Sequence, residues 1–259
     1  MTQTRIAVTN RTICYKLYKQ AGLASAEDTP LTCLSRQIRA LLNNNSYDKI
    51  LIREKDLSEE EYHAFIADIF SAQHSYLSST NLTSNIIVHN FPAVAEEFGT
   101  DLHLPFSMFT NLLGHSDNSA QNNFQNFLSN SSVLISDASI ATSDNDLIHE
   151  NTSASITIFS ASFRGKYPHI KRIGTSIHSV EDAIFTESHG ADYITAGHIF
   201  TTDCKKGLPG RGINWLKSIC NAASIPVYAI GGISDANVSM LFDCNIAGYC
   251  MMSASMQPI

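Results

Sequence analysis

The sequence predicts an α/β protein, a TIM (β/α)8 barrel, and three observations lead there. Eight short β-branched or apolar runs alternate with helix-like stretches along 259 residues, close to the length of about 250 residues typical of such a barrel. Hydrophobic residues make up 44% of the chain, which is enough for a substantial buried core. Glycine-bearing segments follow the later apolar runs, where a parallel barrel presents its loops to a ligand. An open doubly wound sheet alternates in the same way, so the count of eight is what favours closure.

The elements can be taken in order. Arg5 to Ile13 reads as the first strand. Pro30 suits the first position of a helix that runs to Leu42, with Leu31, Leu34, Ile38, Leu41 and Leu42 on one face. Lys49–Arg53 is a second strand, and Ser58 with Glu61 forms a capping box for a helix carrying Tyr62, Phe65, Ile66, Ile69 and Phe70. Ile86–His89 reads as the third strand, Pro92–Phe98 as a short helix and Asp101–Leu104 as the fourth strand. Further strands are expected at Arg172–Ile177, Tyr193–Ala196, Val227–Ile230 and Gly248–Met252, separated by helices at Val180–His189, Ile213–Ala223 and Ala236–Phe242.

The whole of 1–259 is expected to be one domain, with two irregularities. The stretch 106–163 is rich in Asn, Ser and Asp and lacks basic residues, so it reads as a polar insertion in the fourth βα unit. Its apolar residues, Phe124, Phe127, Leu128, Val133, Leu134 and Ile135, argue for one or two small elements. The chain also stops a few residues past the last strand, so no eighth helix is expected. That flank would be bare and apolar, which predicts a homo-oligomer or a protein partner covering it.

A formal charge of −7 offers no electrostatic case for nucleic acid or an anionic membrane. No Lys or Arg lies between Lys55 and Arg164, so the positive charge is confined to the two ends of the chain. Brought together, those ends would make a local anion site on an acidic protein. The six cysteines lack CxxC or His-pair spacing, so neither a zinc site nor a disulfide framework is expected. No basic-then-apolar leader opens the chain and no apolar run nears the roughly 18 residues of a membrane span. A cytoplasmic protein is expected, and the sequons at Asn81, Asn130 and Asn151 then read as chance matches.

The richest chemical segment runs from Ile194 through Gly197, His198 and Phe200 to Lys205, Lys206, Gly207, Gly210 and Gly212. A buried strand there opens into a loop that can bring two lysines over an anion; a solvated basic turn is the plainer alternative. The glycine spacing is not that of a dinucleotide fingerprint, so NAD is not expected. Gly231 and Gly232 end the seventh strand, where backbone N–H groups can approach a phosphate, and Ser253 follows the eighth. His178 follows the fifth strand and would face the mouth as a general acid or base, or merely cap the next helix. Arg53 and Lys55, past the second strand, can hold a carboxylate or phosphate, although Arg53 could instead pair with Glu54.

Several of these segments together resemble a known family. Ile52-Arg53-Glu54-Lys55, Ser176-Ile177-His178-Ser179, Ala191-Asp192-Tyr193, Gly197-His198-Ile199-Phe200 and Ile225–Ile233 occur in the order found in the thiamine phosphate synthase superfamily. Within it, Thr202–Gly212 resembles the thiazole tautomerase (TenI-like) branch. The synthase holds a pyrimidine diphosphate through Mg2+, and its third strand usually ends in Asn-Asp. Here Asn90-Phe91 stands in that place, and the acid expected after the fourth strand is missing from His103–Ser107. Mg2+ needs hard oxygen ligands, and phenylalanine supplies none.

The resemblance therefore implies a cofactor-independent, metal-free tautomerase acting on a small-molecule thiazole phosphate. It would convert the exocyclic-alkene carboxythiazole phosphate tautomer to its aromatic form in thiamine biosynthesis. His178 would be the catalytic proton shuttle. Gly231, Gly232 and Ser253 would bind phosphate, Arg53, Ser176, Lys205 or Lys206 would orient the carboxylate and ring, and Asn90 would form a polar wall. Two other readings stay open: a residual thiamine phosphate synthase, and a catalytically silent barrel that binds a phosphate ligand for regulation.

Overall fold

A computed structural model describes residues 3–73, 79–114 and 162–259. Eight strands are connected in sequence order, and β8 pairs back on β1 to close the barrel. The strands are β1 (Thr4–Val8), β2 (Lys49–Ile52), β3 (Ile86–His89), β4 (Asp101–Leu104), β5 (Ile173–Ile177), β6 (Tyr193–Gly197), β7 (Val227–Ile230) and β8 (Gly248–Met251). Every pairing is parallel, and closure sets Ile6 beside Cys250. Parallel strands covered on both faces explain the near-continuous apolar runs in the sequence.

The helices are α1 (Arg11–Gln20), α2 (Pro30–Asn44), α3 (Glu59–Gln73), α4 (Ser79–Asn85), α5 (Pro92–Phe98), α6 (Phe106–Gly114), α7 (Val180–Ser188) and α8 (Gly212–Ala222). Their starts follow the capping signals. Thr29 accepts from the Thr32 amide and Thr32 answers to the Thr29 amide, with Pro30 in the first turn. Ser58 and Glu61 exchange the same pair of bonds, at 2.9 and 3.2 Å. Each such cap contributes about 1 kcal/mol.

Two expected elements differ. The first strand ends at Val8 rather than Ile13, because the Asn10 side chain accepts from the Ile13 amide and starts a helix that buries Cys14 and Tyr18 one turn apart. The helix expected at Ala236–Phe242 is a 3-10 helix over Val238–Cys244. The stretch read as inserted contributes to the barrel at both ends. Its first residues form α6, with Phe109 1% exposed, and residues 162–166 are helical ahead of β5. The residues expected to form small elements, Phe124 to Ile135, lie outside the described residues.

Side chains alternate around the barrel wall. Ala7, Ile50, Ile52, Ile86, Val88, Leu102 and Leu104 pack outward in one cluster with α1 to α6, while Ile177, Ile194, Ala196, Val227 and Ala229 pack outward with α7 and α8. Ile6, Val8, Leu51, Ile87, Tyr193, Tyr228 and Cys250 fill the inside. Below them Asp101, 2% exposed, binds Lys49 at 2.9 Å and Arg172 at 2.7 Å, which closes the floor.

After β8 the chain makes a turn over 252–257 instead of a helix. Gln37, fully buried on α2, anchors that turn by donating to the Ser255 and Gln257 carbonyls at 2.9 and 2.7 Å. Its own oxygen accepts from the Tyr18 hydroxyl at 3.0 Å. Met240 and Phe242, on the preceding 3-10 helix, stand more than half exposed.

Candidate functional site

Parallel strands point all their C-terminal ends to one rim, so every loop that follows a strand surrounds the same mouth. The top inward position differs from strand to strand. On β1, β7 and β8 it is apolar, from Val8, Ile230 and Met252. On β3 to β6 it is polar: His89, His103, Ser176 and Thr195. Beyond β2, continuing the inward parity of Leu51, comes Arg53. The mouth thus has one apolar wall and one polar wall.

Arg53 is held by its backbone amide. Its amide donates to the Thr9 hydroxyl at 2.9 Å, and Thr9 donates on to Glu54 at 2.7 Å. Glu54, 4% exposed, is paired by Arg11 at 3.3 Å and accepts the Arg11 amide as well. Burial raises the Glu54 carboxyl above its ordinary range, and the bonds from Thr9 and Arg11 oppose that. Among the described residues the Arg53 guanidinium makes no ion pair, and burial depresses its pKa. The Lys55 ammonium is depressed chiefly by the Arg53 charge, then by burial and by Lys205. Three cations therefore share one side of the mouth.

The two histidines beside them are neutral. His103 is 2% exposed and His89 4%, with rings stacked 6.1 Å apart. Burial, then the Arg53 charge, lowers His103 to about 3. Burial lowers His89 to about 2, with His103, Arg53 and Lys55 adding to it. The His103 Nε2 lies 3.0 Å from Ser176 Oγ and 3.4 Å from Thr195 Oγ1, while its Nδ1 is buried without a partner among the described residues. The Tyr62 hydroxyl accepts from the His89 amide at 3.0 Å and donates to the Ile52 carbonyl at 2.6 Å, bridging β3 to β2. Asn90 follows with φ +70°, its side-chain oxygen buried and unpartnered among the described residues. Phe91 lays its ring against Tyr62 at 4.9 Å.

Across the mouth, Gly231 and Gly232 take φ of +102° and +67°. A Cβ on Gly231 would lie 2.4 Å from His198 Cβ, and one on Gly232 2.5 Å from the Thr201 carbonyl. Both conformation and space demand glycine there. The closeness arises because the loop after β6 keeps pairing with the one after β7: Ile199 donates to the Ile230 carbonyl and Phe200 to that of Gly231. The amides of Gly231, Gly232, Ser253 and Ala254 donate to no protein acceptor among the described residues. Such free N–H groups at the strand ends suit an anion.

The lysine loop folds back on its own base. His198 Nε2 meets the Pro209 carbonyl at 3.0 Å, Arg211 donates to the His198 carbonyl and Gly212 to that of Ile199. Thr202 caps the short 3-10 turn Asp203–Lys205, and Lys205 and Lys206 are both exposed. Lys205 lies near enough to act on the Lys55 charge. His178 is exposed at the end of β5, and its amide donates to Asp182 at 2.8 Å. Ser179 rather than His178 caps α7, by accepting from the Asp182 amide.

The rim thus carries Arg53, Asn90, Ser176, His178, Lys205, Gly231, Gly232 and Ser253 around one opening, with Lys206 on its outer loop. His89, His103 and Thr195 escaped the sequence reading, although each continues the inward parity of its strand. A histidine at the C-terminal end of an otherwise apolar strand was the available signal.

Fold and site define a closed parallel (β/α)8 barrel with a cationic, histidine-lined mouth opposite a glycine turn. Residues 160–255 match the family model described as thiamine monophosphate synthase. The thiamine-phosphate synthase of Clostridium tetani is 43% identical over 83 residues, 32% of this chain and 40% of that protein. That of Pyrococcus horikoshii is 44% identical over 84 residues, 32% and 41%. The chain thus spans about two fifths of the length of the curated relatives it matches. A thiamine phosphate pyrophosphorylase structure from Pyrococcus furiosus superposes with TM-score 0.58 at 17% identity, covering 99% of this chain and 88% of that one. Over residues 160–255 the chain is similar to the thiamine monophosphate synthase family. The matched stretch begins ahead of β5 and carries the glycine turn, while Arg53, His89, Asn90 and His103 lie outside it.

Proposed function

We propose that the protein is a thiazole tautomerase, converting the exocyclic-alkene carboxythiazole phosphate to its aromatic tautomer. The observation that carries this reading is a group of three cations, Arg53, Lys55 and Lys205, that make no ion pair among the described residues. Arg53 and Lys205 both lie near enough to act on the Lys55 charge, and Glu54, next to Arg53 in sequence, is bound by Arg11 and Thr9. A phosphate or carboxylate can be held there directly.

The Mg2+ on which the related synthase depends does not fit this donor set. The position next to Asn90 is Phe91, packed on Tyr62, and β4 is followed by Pro105 and Phe106. Mg2+ requires oxygen donors in near-octahedral array, and three neighbouring cations would repel it.

The tautomerisation needs only a proton removed at one carbon and one returned at another. The free amides of Gly231, Gly232 and Ser253 bind the phosphate, and Arg53 with Lys55 or Lys205 holds the carboxylate. The imidazole of His178 takes the proton from the ring carbon bearing the carboxylate. The electron pair left behind moves through the ring to the exocyclic carbon, which receives a proton from the same imidazole. Positioned acid–base catalysis contributes about 10²–10⁴-fold.

The test is the conversion rate of tautomer made in situ by a thiazole synthase. Wild type should accelerate it and His178→Ala should fall to the spontaneous rate. No acceleration by folded wild type would exclude the tautomerase. The names of the relatives favour a second reading, a thiamine phosphate synthase, which predicts Mg2+-dependent coupling of pyrimidine diphosphate to thiazole phosphate in the same preparation.

A further inference from the structure

Behind Ser176 three polar groups form a closed triangle. His103 Nε2 lies 3.0 Å from Ser176 Oγ, Thr195 Oγ1 lies 3.1 Å from the same oxygen, and Thr195 Oγ1 is 3.4 Å from His103 Nε2. His103 and Thr195 are each 2% exposed, whereas Ser176 is only half-buried at the top of β5. The remaining ring atom, His103 Nδ1, is buried with no partner among the described residues.

That orphan decides the tautomer. A neutral imidazole has one N–H and one bare nitrogen. With the proton on Nδ1, a buried donor would be left without an acceptor, which folded proteins rarely tolerate; a bare buried acceptor is the lesser penalty. The proton therefore belongs on Nε2, where it donates to Ser176. The ring stays neutral because burial and the Arg53 charge disfavour its cation. Ser176 Oγ then accepts from His103 and from Thr195, so both of its lone pairs are used. Its own hydroxyl proton is left over, and no protein acceptor claims it among the described residues.

We propose that His103, as the Nε2–H tautomer, is a positioning residue that makes Ser176 an obligate hydrogen-bond donor toward the mouth, there recognising a carboxylate oxygen of the ligand. The identity of that ligand rests on the tautomerase reading. The network itself does not. Two bonds received by Ser176 polarise its hydroxyl and strengthen the one it donates. A carboxylate, an acceptor only, is the partner such a donor selects.

Two measurements test this. In ¹⁵N-labelled protein without ligand, through-bond ring correlations, assigned by comparison with His103→Gln, show which nitrogen carries the proton. A protonated Nε2 is expected; a protonated Nδ1 overturns the inference. Affinities are then compared for the aromatic carboxythiazole phosphate and for the same phosphate lacking the carboxylate. Ser176→Ala and His103→Leu should each weaken the carboxylated compound about tenfold and leave the other unchanged. His103→Gln, whose amide can donate from the same place, should recover most of that loss. Equal losses for both compounds, or unaltered discrimination in Ser176→Ala, would overturn the carboxylate assignment. If wild type binds neither compound, the functional reading and the carboxylate assignment fail together, while the ring tautomer still decides the network.

Discussion

Arg11 takes the Glu54 carboxylate, at 3.3 Å, although Arg53 is next to it in sequence. That pairing leaves the Arg53 guanidinium without an ion pair among the described residues. Glu54 is 4% exposed and Arg11 18%, so breaking the pair strands a buried carboxylate. Arg11→Ala should lower stability by about 3 kcal/mol in urea unfolding. Adding Glu54→Gln should restore part of that, because a neutral amide needs no counter-charge. Additive losses in the double variant would show that the two residues do not act as a pair.

Arg53 itself should matter to binding and little to folding, since its side chain makes no ion pair among the described residues. A charge-assisted bond is worth about 1.5–3 kcal/mol, so Arg53→Ala should weaken the thiazole phosphate about ten- to a hundredfold. Arg53→Lys should recover only part, lacking the bidentate fork. Calorimetric titration measures both, and an unchanged affinity in Arg53→Ala would remove this residue from the site.

Gly232 has φ +67°, and a Cβ there would meet the Thr201 carbonyl at 2.5 Å. Gly232→Ala therefore combines a left-handed backbone with a backbone clash, and should cost at least about 2 kcal/mol. It should also abolish binding of the phosphate compound, because the turn after β7 is packed on the loop after β6. Gly207, also at positive φ but with open space around its Cβ position, is the control: Gly207→Ala should bear only the conformational cost.

His89 and His103 tie stability to pH. Their folded pKa values, about 2 and about 3, lie well below the ordinary histidine value. As pH falls below about 6.5 the unfolded chain binds protons that the folded chain does not, so stability declines on acidification through that window. Each ring contributes up to about 1.4 kcal/mol per pH unit there. Urea unfolding between about pH 5 and 6.5 should show the slope, and His103→Gln or His89→Leu should each remove up to one proton from it. A slope unaltered in both variants would mean that the rings are charged in the folded state.

Much of the architecture was legible in the chain itself. Ile86–His89, Asp101–Leu104 and Val227–Ile230 lie where the apolar runs end, because a strand covered on both faces must be apolar throughout. Pro30 with Thr29, and Ser58 with Glu61, start their helices because caps act within a few residues. The same locality misplaced the end of the first strand. Ile13 and Leu17 suit either periodicity, and only the Asn10 side chain closing on the Ile13 amide settles it as helix.

The rim residues could be named from sequence because each lies at or beyond the C-terminal end of a strand, and closure of the barrel brings all such positions to one end. Partnership could not be named that way. That Arg11 claims Glu54, that His103 stands behind Ser176, and that Gly232 fits against Thr201 depend on contacts made across the barrel or between its loops. Strand periodicity sets which way a side chain points. Which charge is cancelled, and which donor is left free, is decided only when distant strands close into a ring and exclude water between them.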